Sequence, residues 1–183
     1  MSETNRSWTG WPWIQRTFDF SFPAEKFPDC LERLRGTPAR LSSMLAGVEN
    51  ANAARTDGQG WSIKQNVGHL TDTEILPESR IDEILEGREF LTAADMSNTA
   101  TQEADHNARP LSELLDAFAT RRGALCARFA SLPQEAWSLS SHHRRIDKPM
   151  RLVDLVYFTS EHDDYHLARI RWLLHWLARG DGD

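Results

Sequence analysis

Lysine is nearly missing from this chain of 183 residues: only Lys26, Lys64 and Lys148 stand among its 21 basic side chains. The rest are arginines, planar forks suited to paired hydrogen bonding with anions. No basic block occurs and the formal net charge is −6, which excludes an electrostatic nucleic-acid surface. No apolar run approaches the ~18 residues of a membrane span. The opening "MSETNRSWTGWPW" lacks the charged head and apolar core of a secretory signal. Cysteine is scarce too. Cys30 and Cys126 form no CxxC pair and no disulfide framework, and both fall among apolar helical residues, as small core side chains do. A reduced, cytoplasmic protein is the expectation. Strand patterns are almost absent. "RTFDFSF", residues 16–22, alternates polar and apolar but has no partner segment, so it reads as an extended arm. Trp8, Trp11 and Trp13 precede it and are expected to pin it to the body of the protein.

What is present is helical periodicity, in a chain long enough for one domain with a sizeable core. Pro28 opens a short helix through Arg35. "GTP" at 36–38 restarts the chain, with Thr37 as the expected N-cap and Pro38 in the first helical position, and Leu41, Met44, Leu45 and Val48 recur at helical spacing. "WSIKQ" carries a capping box from Ser62 to Gln65 and begins a helix running to about Glu86, kinked at Pro77 and ended by Gly87. Residues 88–109 form a long polar connection of the length expected for a crossover or a functional loop. Pro110 opens a third long helix with Leu111, Leu114, Leu115, Phe118, Leu125 and Phe129 on one face. A second loop follows, with a short turn expected at residues 133–137. The last helix spans about Arg151 to Ala178, before Gly180. These elements describe an all-α four-helix bundle with long crossover loops over residues 27–180, preceded by a Trp-rich arm over residues 1–26.

Within the last helix, "SEHDDYHLARI" places His162 and His166 four residues apart, hence one above the other. The apolar stripe of Leu152, Leu155, Val156, Thr159, Ile170, Leu173 and Leu174 continues through positions 162, 163 and 166, so both imidazoles face the interior. Buried imidazoles need partners. A metal satisfies both; so does one hydrogen-bonded core histidine beside one that lines a cleft. Of the other histidines, His69 lies mid-helix at the bundle seam, with Asn66 and Thr73 on its face. His142 and His143, next to Arg144 and Arg145, read as surface; His106 reads as a loop or lid residue and His175 as a helix-end residue. One histidine from one helix and an HxxxH pair from another make three nitrogen ligands with a position left open, the arrangement of catalytic rather than structural zinc.

"WSIKQNVGHL" at 61–70, followed downstream by "EHDDYHLARI" at 161–170, resembles the DinB/YfiT-like superfamily of four-helix metalloenzymes. The likeness extends from about Phe27 to Ala178. It implies a divalent metal, zinc or nickel, on His69, His162 and His166. It further implies either thiol S-transfer with a low-molecular-weight thiol or metal-dependent hydrolysis, and a homodimer. A zincin motif would need glutamate where Asp163 stands, and a di-iron bundle would need carboxylates that the chain does not place.

No Ser-His-Asp or Cys-His arrangement offers a protein nucleophile. Asp72, Thr73, Glu161 and Asp163 are candidates to orient an imidazole or take a proton, with Asp163 favoured because it shares the histidine face. Arg80 and Arg169 could meet an anionic substrate or form ion pairs. Tyr165, Arg169, Trp172, Trp176 and Arg179 form a second stripe, expected to pack on the arm or on another subunit. The different-class alternative to an enzyme is a non-catalytic module that binds metal for stability or sensing.

Overall fold

Periodic apolar stripes punctuated by Gly, Pro and polar loops become four helical columns in the computed structural model, which describes residues 7–180. The first column is α1 (Phe27–Arg35) and α2 (Thr37–Leu45), joined at Gly36 and followed by a single turn, α3 (Asn50–Ala53). Thr37 is the first residue of α2 rather than its cap, because Gly36 already has helical dihedrals; the Thr37 hydroxyl is free to leave its helix and donate to Asp163 at 2.7 Å.

The second column starts at the expected capping box. The Ser62 hydroxyl accepts from the Gln65 amide at 3.1 Å, and the Gln65 side chain accepts from the Ser62 amide at 3.0 Å. This column is two helices, α4 (Ile63–Asp72) and α5 (Ile75–Leu85), parted at Thr73 and Glu74. Pro77 is the cause, acting four residues upstream of itself. It has no N–H for the Thr73 carbonyl, which accepts from Leu76 at 3.0 Å instead.

The long connection contains one short helix, α6 (Thr99–Glu103), and a 3-10 turn at His106–Ala108. The third and fourth columns are α7 (Leu111–Ala130) and α8 (Leu152–Ala178). Between them lies an antiparallel hairpin, β1 (Ser140–His143) and β2 (Lys148–Arg151), with Ser141 opposite Met150 and His143 opposite Lys148. The sequence reading has a loop here. The inward positions of β1 are Ser141 and His143, so no apolar alternation announces the strand. The hairpin also anchors the start of the crossover, where His142 donates to Glu89 O at 2.9 Å and accepts from Leu91 N at 3.0 Å.

Residues 7–26 lie along this body in extended and 3-10 conformation. Phe18 is buried and packs on Phe158 at 4.7 Å. The arm's carbonyls are held by basic side chains of the hairpin: Lys148 donates to Phe18 O at 3.0 Å, and Arg151 to Phe20 O and Phe22 O at 2.9 and 3.0 Å. Trp8 and Trp13 pin the arm as expected, on Trp172 and Phe158. Trp11 does not, being half exposed.

The apolar core divides into two clusters, one around Phe27, Leu34, Phe129 and Val156, the other around Leu41, Val67, Phe118 and Ile170. Between them sits a buried ionic joint. Arg122 of α7 donates to Glu74 at 2.6 Å and to both carboxylate oxygens of Asp163, one at 2.9 Å; it also reaches Leu34 O at 3.4 Å. All three charged groups are at most 2% exposed, so water contributes nothing to their solvation. Burial opposes the Arg122 charge, but Asp163 and Glu74 outweigh it and push its pKa well above the usual value. Through this one guanidinium all four columns are linked.

Arg122→Met strands two buried carboxylates and is expected to cost about 3–5 kcal/mol in urea denaturation. Replacing Glu74 and Asp163 by leucine in the same chain should restore most of that loss.

Candidate metal centre

His69 on α4 and His162 and His166 on α8 converge where these helices face each other. One ring nitrogen from each lies within 4.8 Å of those of the other two. His162 Nε2 is 3.2 Å from His166 Nε2 and 3.4 Å from His69 Nε2. His69 and His166 are 4% and 3% exposed, and His162 is partly buried. Trp61 covers two of the rings, its centroid 4.5 Å from His69 and 6.1 Å from His166. Trp13 of the arm meets His162 edge-on at 5.0 Å.

The outer nitrogens assign the tautomers. Asn66 donates through Nδ2 to Ser62 O at 2.8 Å, so its Oδ1 accepts from His166 Nδ1 at 2.8 Å. Thr101 donates to the Asp72 carboxylate at 2.9 Å, so its oxygen accepts from His69 Nδ1 at 3.0 Å. Both Nε2 atoms therefore carry lone pairs directed at the centre. Burial is the leading cause that lowers all three pKa values, to about 3 for His69 and His162 and well below the ordinary value for His166, and each imidazole's neighbours add to it. Neutral rings with converging lone pairs repel one another and fit a divalent cation.

The candidate outer groups are distributed differently from their grouping on the sequence. Asp163 lies between the two histidines in the chain, yet its carboxylate is wholly taken by Arg122 and Thr37, and it hydrogen-bonds none of the three rings. The Thr73 hydroxyl turns back to His69 O at 2.9 Å. Glu161 pairs with Arg33 at 2.7 Å on the outside of the bundle. Asp72 does reach the site, through Thr101. It also accepts from His106 Nε2 at 2.8 Å.

His106 is thus no exposed lid residue but 2% exposed, and it lies flat against α4 at Gly68, where a Cβ would overlap its ring. Thr101 carried no signal in the sequence, since a lone threonine in a polar loop has no periodicity to place it. The "NVGH" step with glycine one residue before the histidine is the trace that a close approach leaves. His143, read as surface, is 4% exposed and held on the inner face of β1, whereas His142 bonds Asp147 at 2.9 Å outside and His175 is exposed.

The three histidines open into a cavity of about 810 Å³, lined by Trp13, Leu76, Met96, Leu155, Phe158 and Tyr165 together with Arg80, His143 and Arg145. Of the second stripe of α8, Tyr165 thus lines the cavity, while Arg169 and Trp172 face elsewhere. Arg169 pairs with Asp57 at 2.5 Å and the Trp172 indole donates to Asp57 at 2.9 Å, so loop 54–60 and Trp8 cover that face. Cys30 and Cys126 are buried, and burial pushes the Cys126 thiol up to about 11, which removes it as a nucleophile.

The lowered imidazole pKa values have a sign. His69 and His162 take a proton near pH 6.5 in the unfolded chain but only near pH 3 in the fold, and His166 is lowered in the same direction, so their contribution to stability is whole above 6.5 and lost as pH falls. Urea titrations of metal-free protein are expected to show stability falling steadily from pH 6.5 towards acid, and His69→Phe should flatten that slope.

The fold and site have relatives. A DinB superfamily model matches residues 27–170. Among solved structures, one similar chain is YfiT from Bacillus subtilis, described as a probable metal-dependent hydrolase with an unusual four-helix bundle topology. It has a TM-score of 0.75 and 20% identity, with 89% of this chain and 94% of that one covered. Another is a mycothiol-dependent maleylpyruvate isomerase, with a TM-score of 0.64 and 15% identity, covering 85% of this chain and 63% of the isomerase. At such identities the likeness concerns the fold. No curated protein matches the chain at the sequence level. The family match runs from the start of α1 through both histidines of α8 and takes in the capping box and His69, so the chain belongs to the DinB superfamily.

Proposed function

We propose that this chain is a metal-dependent enzyme of the thiol S-transferase type, with a divalent zinc or nickel ion on His69, His162 and His166. The metal would supply a Lewis-acid site that lowers the pKa of a bound thiol or water. The chain's own residues hold the three imidazoles neutral, through burial, and orient His69 and His166 through Thr101 and Asn66. Trp61 and Trp13 shield two sides of the cluster.

One observation carries the choice of a thiol: among the described residues lining the cavity, no carboxylate stands free to act as a base. Glu74 and Asp163 are bound to Arg122, Asp72 to Thr101 and His106, and Asp95 caps its own loop through Ser97 and Thr99. Water attack on a carbonyl profits from a general base, whereas a coordinated thiol is deprotonated by the metal outright. A hydrolase is the second reading, supported by the description of YfiT and by the same open position. The homodimer implied by the sequence resemblance belongs to this proposal as well.

Protein prepared without a nickel column should carry close to one divalent ion per chain, and His69→Ala should carry none. Thr101→Val and Asn66→Leu should weaken metal binding about 10–100-fold, read in a chelator competition.

Metal-loaded protein is expected to conjugate a bimane electrophile to one member of a thiol panel. Turnover of an ester without thiol would transfer the proposal to the hydrolase. A chelator-sensitive Tm with neither activity would identify a structural metal module.

A further inference from the structure

The wall of the cavity holds two arginines that form no salt bridge among the described residues. Arg145, in the turn between β1 and β2, lies against the paired rings of Trp13 and Phe158, its guanidinium carbon 5.8 and 5.6 Å from their centroids. Its Nη1 donates weakly to Ile14 O at 3.4 Å, and its Nη2 is buried with no hydrogen-bond partner. Arg80 on α5 is 3% exposed and spends Nε and Nη2 on one carbonyl, Thr92 O, at 3.2 and 2.8 Å. Glu83, the acid that acts on it, is itself engaged by the Thr92 amide at 2.8 Å and by the Thr92 hydroxyl. His143 lies with them: burial first, and then Arg80 and Arg145 as close positive neighbours, together lower its pKa to about 4. A buried guanidinium donor with nothing to bind is costly, and such a group in a native cavity calls for a ligand atom.

The four acids of the same wall are spoken for, as described above. Arg145 and Arg80 therefore meet the cavity without an ion-pair partner among the described residues, on a chain whose overall charge is negative. The cluster is also near the histidines. Phe158, which stacks under Arg145, touches Trp13 at 5.0 Å, and Trp13 touches His162 at 5.0 Å. A cavity of about 810 Å³ accommodates one small molecule that reaches both.

We infer that Arg145, with Arg80 beside it, is a binding site for an oxyanion group, a carboxylate or phosphate, on the small molecule that enters this cavity. A planar guanidinium fork resting against two aromatic rings, with a buried donor left unpaired, offers its N–H groups in the geometry that binds such groups in pairs. The proposed function of the histidine centre underlies the reading of this ligand as a substrate. The anion site itself stands apart from the metal, which allows a separate test.

Metal-free protein, stripped by chelator, is titrated calorimetrically near neutral pH with glutarate, with inorganic phosphate and with the uncharged glutaramide. Glutarate or phosphate is expected to bind and glutaramide not to bind; which of the two anions binds identifies the group. Arg145→Gln and Arg80→Gln should each weaken the bound anion about tenfold, Arg145→Lys should recover part of that, and Arg128→Gln on the outer surface should change nothing. Circular dichroism and Tm of each variant confirm that it is folded. Wild-type affinity in Arg145→Gln, equal binding of glutaramide, or no anion binding at millimolar concentration would overturn the inference. The metal reading fails separately, if the protein as prepared carries no metal while anion binding persists.

Discussion

Arg122 is the constraint on which the other features of the bundle depend. Three helical columns each place a charged residue where their apolar stripe calls for a hydrocarbon: Glu74 follows Leu70 by four, Arg122 follows Phe118 by four, and Asp163 continues the stripe of α8. The fourth column adds the Leu34 carbonyl and the Thr37 hydroxyl. Paired hydrogen bonds tolerate little sliding or rotation, which dispersion contacts between leucines would permit. The joint therefore fixes the rotation of α8 about its own axis. With Asp163 turned to Arg122, the flanking His162 and His166 are left facing α4.

That division of labour explains why the cavity can be dry on one side and charged on the other. Glu74 sits at the break in the second column, and the break exists because Pro77 withholds a donor from Thr73. A continuous helix would carry the chain past the interior without turning a carboxylate into it. The crossover then closes over the far side of α4, fastened by Thr101, His106 and Asn107, which bonds Ser62 at 2.7 Å and Lys64 at 3.1 Å. Gly68 admits the His106 ring, and His106 in turn occupies the Asp72 carboxylate that supports Thr101.

The helical columns and the triad of His69, His162 and His166 were legible in the sequence because both follow a single period. Stripe residues recur at 3.6, and HxxxH lies on the stripe. Arg122 was legible in principle, as a charge on an apolar stripe, but a stripe position says only that a group is buried and not with what. Asp163 shows the same limit. Its burial on the inner side of α8 was legible, whereas its partner came from a helix 41 residues upstream and turns it away from the histidines. The hairpin and Thr101 were hidden for a different reason: their places are set by tertiary contacts of short polar segments, in which neighbouring residues carry no repeating pattern.

The arm has a consequence for how such a site can diversify. Trp13 forms part of the cavity wall and lies with Phe158 against Arg145, yet it stands outside the 27–170 span that matches the family. The helices supply the triad and its ionic joint, while an appended strip of about twenty residues shapes what enters. Exchange of that strip would alter the lining of the cavity without changing the helices that carry His69, His162 and His166, so that the wall and the triad can vary on separate segments of the chain.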